Sequence, residues 1–141
     1  ASALADMQRP DQALKMLDDI TSASERTSVL VSAANAQART GDAAAALATA
    51  DNIEEVRFRA VVLGHVALAQ AQKGQSEAAE ATLQIALAAV ENIKTPFARS
   101  HAISRIALAM VRLAKLGGAK EKDAATALTP LSYEKPARPQ R

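Results

Sequence analysis

The sequence predicts an all-α protein, an α-solenoid of stacked antiparallel helix hairpins, on three observations. Alanine supplies about a quarter of the 141 residues, while glycine and proline number five each, and alanine is the strongest helix former. Three related nonapeptides, DDITSASER, DNIEEVRFR and ENIKTPFAR, punctuate the chain, each with an Arg six residues after an Ile. Between these marks, apolar residues recur at i, i+3, i+4 and i+7, the period of an amphipathic helix.

Composition narrows the classes. A chain of this length buries roughly two thirds of the surface its unfolded form exposes, so a real core is expected. Aromatic residues are limited to Phe58, Phe97 and Tyr133, and there is no cysteine for a disulfide or thiolate metal site. Every apolar run is interrupted well before the ~20 residues a membrane span requires, so a soluble protein without membrane insertion is expected. The formal charge of +2 equals the surplus of the last twelve residues, where Lys135, Arg138 and Arg141 outnumber Glu134. Acids and bases otherwise alternate, which speaks against a nucleic-acid partner. The opening ASALADMQRP lacks signal-peptide features and reads as the interior of a helix, poorly capped by Asp6, Gln8 and Arg9. The natural protein is therefore expected to continue upstream.

The repeat assigns the elements. Ile20, Ile53 and Ile93 align with Arg26, Arg59 and Arg99; the copies are 33 and then 40 residues apart. Ala13, Ala46 and Ala79 keep a strict 33, as do Gly41 and Gly74, so seven extra residues lie between Ala79 and Ile93. Seven residues are nearly two helical turns and leave a buried stripe on the same side. Helices are expected at 1–7, 10–20, 24–39, 42–54, 57–73, 76–93, 96–115 and 119–128, grouped as units 1–22, 23–55, 56–94 and 95–129. The first helix of each unit carries Val29, Leu30, Ala33, Ala34; Val62, Leu63, Val66, Ala67; and Ala102, Ile103, Ile106, Ala107. Thr40-Gly41-Asp42 and Lys73-Gly74-Gln75-Ser76 provide a helix stop and a polar cap for the next helix. Ser22 with Glu25 forms a capping box, Thr95-Pro96 a helix start, and Gly117-Gly118 a helix stop. Residues 130–141, rich in proline and charge, are expected to be a flexible tail.

The recurring letters read as junction fasteners. Asp18, Asp51 and Glu91 fall in the last turn of a helix, where the macrodipole disfavours negative charge. Each Arg arrives one linker later and can neutralise that acid or the free carbonyls of the helix end. Ile20, Ile53 and Ile93 plug the junctions.

On these residues the chain resembles the tetratricopeptide repeat, a hairpin of about 34 residues that stacks into a right-handed superhelix. Ala34, Ala67 and Ala107 match the close-contact position of the first helix, Gly41 and Gly74 the turn, and Ala46 and Ala79 the small position of the second helix. Where the family often carries large aromatics, this chain has Leu30, Leu63 and Ile103, then Gln37, Gln70 and Met110, then Ala50 and Leu83. The resemblance covers about residues 1–128 and is to a divergent, alanine-rich bacterial variant, of the cytoplasm or the periplasm.

Catalytic chemistry finds no support in the sequence. His65 and His101 lack a second ligand at i+3 or i+4, so no metal site is expected, and His65 reads as a surface or groove residue. Ser32, Ser100 and Ser104 lack a nucleophile elbow, and no phosphate loop or cofactor motif is present. The resemblance implies that first helices line a concave face, here Ser28, Val31, Asn35 and Arg39; Val61, Gly64, Leu68 and Gln72; His101, Ser104, Leu108 and Arg112. Asn35, Arg39, Leu68, Gln72, His101, Leu108 and Arg112 are the expected partner-binding residues, with a polar edge and a leucine floor. Val31 stands where a carboxylate-clamping Lys would be. The sequence thus points to a non-enzymatic scaffold that binds a polypeptide segment. The alternative is a self-association module, a homodimer or an intramolecular packing unit of a larger bacterial protein without a separate ligand.

Overall fold

A computed structural model describes the backbone of residues 9–127 and the side chains of residues 9–117. The helix expected at 1–7, the capping role of Asp6 and Gln8, the boundary at 129 and the tail at 130–141 lie outside the described residues. Those described are all-helical, without a strand: α1 (Pro10–Lys15), a 3₁₀ turn (Leu17–Asp19), α2 (Ala23–Thr40), α3 (Ala43–Asp51), α4 (Val56–Gln72), α5 (Ser76–Glu91) and α6 (Pro96–Ala127).

Local chemistry explains the boundaries. The Ser22 hydroxyl accepts the Glu25 amide at 3.4 Å and starts α2. Gly41, at φ +93°, ends it, with Asp42 N–H donating to the Gln37 carbonyl at 2.9 Å and Gly41 N–H to that of Ala38 at 3.1 Å. This glycine stop satisfies carbonyls that would otherwise be orphaned. The Asp42 carboxylate then accepts the Ala45 amide at 3.0 Å and starts α3. Gly74, at φ +79°, repeats the stop after α4, with Gln75 N–H donating to the Gln70 carbonyl at 3.0 Å. Gln75 rather than Ser76 caps α5, and its side chain makes no capping bond. The helix α5 has 16 residues where α3 has nine, a difference equal to the seven-residue insertion read from the spacing.

Two expected boundaries are corrected. The helix expected over 10–20 is α-helical only to Lys15; the 3₁₀ turn then places Asp18 and Asp19 at its own start, away from the negative end of a longer helix. Gly117-Gly118 is not a stop. A single helix of 32 residues, about 48 Å long, runs through it. Glycine inside a helix costs only about 1 kcal/mol, Gly117 does not adopt positive φ, and no other atom approaches its open side within 4 Å. Among the described residues the final unit therefore has no separate second helix.

Packing follows a regular order. Each helix packs on its successor from α1 through α6, and α2, α4 and α6 also pack on one another in sequence. One core cluster runs from Leu30 to Ala109, with Ile53, Ile106, Val62 and Val66 its largest fully buried side chains; Ala13, Val29 and Ala33 form a smaller one beneath α1. Alanines 34, 46, 50, 60, 79, 86 and 102 are fully buried. Such small contacts let helix axes approach the ~8 Å end of the packing range. At Gly64 α4 and α6 approach closely: a Cβ there would lie 3.4 Å from Ile106 Cγ1.

The recurring nonapeptide acquires a division of labour. Asn52 and Asn92 donate their side-chain amides to the Ala48 and Ala88 carbonyls at 2.9 and 3.2 Å, capping the ends of α3 and α5. Ile53 and Ile93 are buried. Arg59 donates to the Ile53 carbonyl at 3.3 Å, and Arg99 to the Ile93 carbonyl through Nε at 2.9 Å and Nη2 at 2.5 Å. The carbonyl half of the expectation is met. The acid half is not: among the described residues the one ion pair is Arg57–Glu55, at 2.9 Å, and Asp51 and Glu91 are exposed. The first copy departs altogether. Asp19 stands where the other copies have Asn and has no N–H to donate, α1 ends early, Ile20 is half-buried, and Arg26 is exposed without a hydrogen bond to the Ile20 carbonyl.

Candidate functional site

The inner stripes of α2 and α4 meet at an open groove of about 440 Å³, lined by Asn35, Ala38, Arg39, His65, Leu68, Ala69, Gln72 and Lys73. Four of the seven residues expected at the partner face, Asn35, Arg39, Leu68 and Gln72, are thus brought together. His101, Leu108 and Arg112 do not line this groove; they are exposed on α6, one helix further along the α2–α4–α6 series.

The groove is built by the repeat register. Gly41 and Gly74 end α2 and α4 at equivalent points, so Arg39 and Gln72 occupy matching last turns. Lys73 follows α4 and folds back over the Gly41 turn, donating from Nζ to the Thr40 carbonyl at 3.4 Å. Between the two helices the His65 Nδ1–H donates to the Asn35 amide oxygen at 3.0 Å. Burial, and then the positive charge of Arg105, lower the His65 pKa below its ordinary 6.5. Both effects disfavour the imidazolium, so His65 is a neutral polar wall of the groove near pH 7. Leu68 and Ala69 supply apolar surface between these polar groups.

One position of the expected inner stripe shifts by a residue. Val31 packs on the core and Gly64 faces Ile106. His65, next to Gly64, lines the groove in its place. A 100° step per residue separates these alternatives, and only the buried side of α4, held by Val62, Leu63, Val66 and Ala67, decides between them.

Two further concavities were not anticipated. A cleft of about 760 Å³ lies over α2 between α1 and α3, with Leu14, Leu17 and Leu30 in its walls and Asp18, Arg26, Glu54 and Glu55 among its polar groups. Of its lining, Asp18 and Arg26 are expected from the sequence as junction fasteners; the cleft lies where α1 ends early. A hollow of about 500 Å³ between α5 and α6 is lined by Leu83, Leu87, Met110, Leu113 and Ala114. It opens because α6 runs straight on. Of the α6 residues in register with the buried Leu63, Gln70 and Ala71, Met110 lines this hollow, and Ile103, Met110 and Val111 are all 45–51% exposed. Ile103 and Ala107, expected in the buried stripe, are accordingly exposed; Ala102, Ile106 and Ala109 are its buried members.

A buried polar pair also escaped the sequence. Thr49 Oγ1 donates to Gln37 Oε1 at 2.7 Å, and Thr82 Oγ1 to Gln70 Oε1 at 2.8 Å, joining α2 to α3 and α4 to α5 at equivalent positions. All four side chains are buried. The signal was available in the identical twelve-residue spacing of the two Gln–Thr pairs. Among the described residues, no three His, Asp or Glu side chains gather as metal ligands, and no helix is long and apolar enough to cross a membrane. No family model, curated protein or solved structure matches the chain.

Proposed function

We propose that this chain is a non-enzymatic, tetratricopeptide-like scaffold, a right-handed solenoid that holds a polypeptide segment along the groove between α2 and α4. The observation that carries the reading is the convergence of Asn35, Arg39, Leu68 and Gln72, from two successive first helices, on one open groove with apolar surface between polar rims. Such a surface suits a peptide: backbone groups meet Asn35, His65 and Gln72, and an apolar anchor meets Leu68. The packing of α2, α4 and α6 on one another, with α3 and α5 each packed between successive members, supports the solenoid. Random peptides displayed on a carrier and selected on the wild-type protein test it. Sequences retained by the wild type and lost with Leu68→Asp, at unchanged helicity, are expected; sequences held equally well by Leu68→Asp would overturn it.

A second reading is favoured by one observation. Ile103, Met110 and Val111 on α6 stand open at register positions that the other units bury. Self-association through this face is the alternative, and it predicts a dimer that Met110→Asp with Val111→Asp dissolves in light scattering. A monomer at all concentrations removes it.

A further inference from the structure

The partner's chemistry can be taken further, and this step rests on the groove reading above. Charge sorts by helix. Within α4 stand Arg57 and Arg59 but no acid, and α6 carries none from Pro96 to Gly117, whereas Asp51, Glu77, Glu80 and Glu91 lie on α3 and α5. From α3 to α6 the alternation expected from the linear sequence is therefore a segregation between the two helix types; α2 departs from it with Glu25 in its first turn. Arg59 and Arg99 are engaged with backbone carbonyls. Four further cations lie along the inner stripe: Arg39 lines the groove beside Leu68 with Lys73, whose ammonium also donates to the Thr40 carbonyl, and Arg105 and Arg112 flank Leu108 in register on α6. No Asp or Glu lines the groove, and none of these four cations has an acidic partner among the described residues.

We propose that this inner face recognises an acidic polypeptide segment, carboxylates meeting Arg39 and Lys73 at one end and Arg105 and Arg112 at the other, with aliphatic side chains seated on Leu68 and Leu108. Arg105 and Arg112 lie seven residues apart, about 10.5 Å along α6 with Leu108 between them. A run of acid, aliphatic and acid within about 10 Å matches that pattern. The complementarity steers encounter and rejects basic segments. Single-stranded nucleic acid fits less well. Its bases seek aromatic stacking platforms, and no Phe, Tyr or Trp lines the groove, whose floor is Leu68 with Ala38 and Ala69.

The test is fluorescence anisotropy with the whole chain and four labelled probes: a peptide alternating Glu and Leu, its Gln and Lys counterparts, and single-stranded DNA. The Glu peptide is expected to bind about tenfold more tightly than the Gln peptide, a difference of 1.4 kcal/mol. The Lys peptide is expected not to bind, and the preference to fall as salt rises. Arg39→Glu with Arg105→Glu is expected to erase that preference while helicity and melting temperature stay unchanged. Leu68→Asp is expected to weaken the Glu and Gln peptides alike. Equal binding of Glu and Gln peptides overturns the acidic preference and leaves the groove reading standing; no binding of any peptide overturns both. Tighter binding of DNA, or a salt-sensitive oligomer that occludes the Glu peptide, overturns the proposal by naming another occupant. A double variant that unfolds is replaced by Arg39→Gln with Arg105→Gln, whose retention of the full preference is equally fatal.

Discussion

Replacing Thr82 with valine exchanges one hydroxyl for a methyl of nearly the same volume, so it isolates the polar pair between α4 and α5. Thr82 is 2% exposed and Gln70 5%. The hydroxyl proton is shared between Gln70 Oε1 at 2.8 Å and the Ala78 carbonyl at 2.9 Å. The Ala78 carbonyl lies within α5 and keeps its helical environment, but the Gln70 amide oxygen is left buried without this donor. Losing a buried hydrogen bond and stranding a neutral acceptor costs about 1–3 kcal/mol. At roughly 3 °C per kcal/mol for a chain of this size, the melting temperature should fall by about 3–9 °C. Gln70→Leu together with Thr82→Val removes both polar partners and should recover most of that loss, since replacing both by apolar groups is close to neutral. Chemical denaturation of the four members of the cycle measures the coupling. A loss under about 0.5 kcal/mol for Thr82→Val, or costs that simply add in the double variant, would refute the assignment of a buried fastening bond.

Further expectations concern single contacts. Arg99→Ala should cost about 1–2 kcal/mol by stripping the Ile93 carbonyl of its charged donor, whereas Glu91→Gln and Asp51→Asn should stay within about 0.5 kcal/mol; large effects of the acid variants would restore the ion-pair reading. Gly41→Ala should cost about 1–2 kcal/mol, because φ +93° is left-handed and the new Cβ displaces Lys73 from over the turn; an unchanged urea midpoint would contradict it. Gly117→Ala should leave helicity intact and add up to about 1 kcal/mol of stability, while a loss would show that the chain reverses there. His65 has a folded pKa below the ordinary 6.5, so the unfolded chain takes up a proton more readily than the folded one. Its contribution is therefore present above about 6.5, declines as pH falls toward the lowered folded value and levels off below it; His65→Gln should flatten that part of a melting-temperature profile.

The helical class, the 33-residue register and the place of the seven-residue insertion were legible because they rest on local signals: alanine propensity, Gly41 and Gly74, and the shared spacing of Ile and Arg. That Asn35, Arg39, Leu68 and Gln72 share one groove was legible only through the resemblance, which implies that first helices line one face. What stayed hidden depends on partners distant in sequence. Gln37 and Gln70 read as polar intruders until Thr49 and Thr82 came beside them from the next helix. The acids of the nonapeptide looked like partners for the arginines, yet Arg59 and Arg99 donate to the Ile53 and Ile93 carbonyls and leave the acids exposed. Asp19 in place of Asn breaks the first copy, a one-atom difference that an alignment of letters treats as conservative. Gly117-Gly118 carries the same letters as a turn; without positive φ or a following helix to close against, it remains helical.

The measurement that bears most directly on the central claim is a map of backbone amide shifts as the protein is saturated with a peptide selected on the wild type. Binding between successive first helices predicts perturbations at Asn35–Arg39 and His65–Lys73, extending to Arg105–Arg112 for an acidic ligand. Perturbations confined to the α1–α3 cleft around Leu17 and Glu54, or to the α5–α6 hollow around Leu87 and Met110, would contradict it.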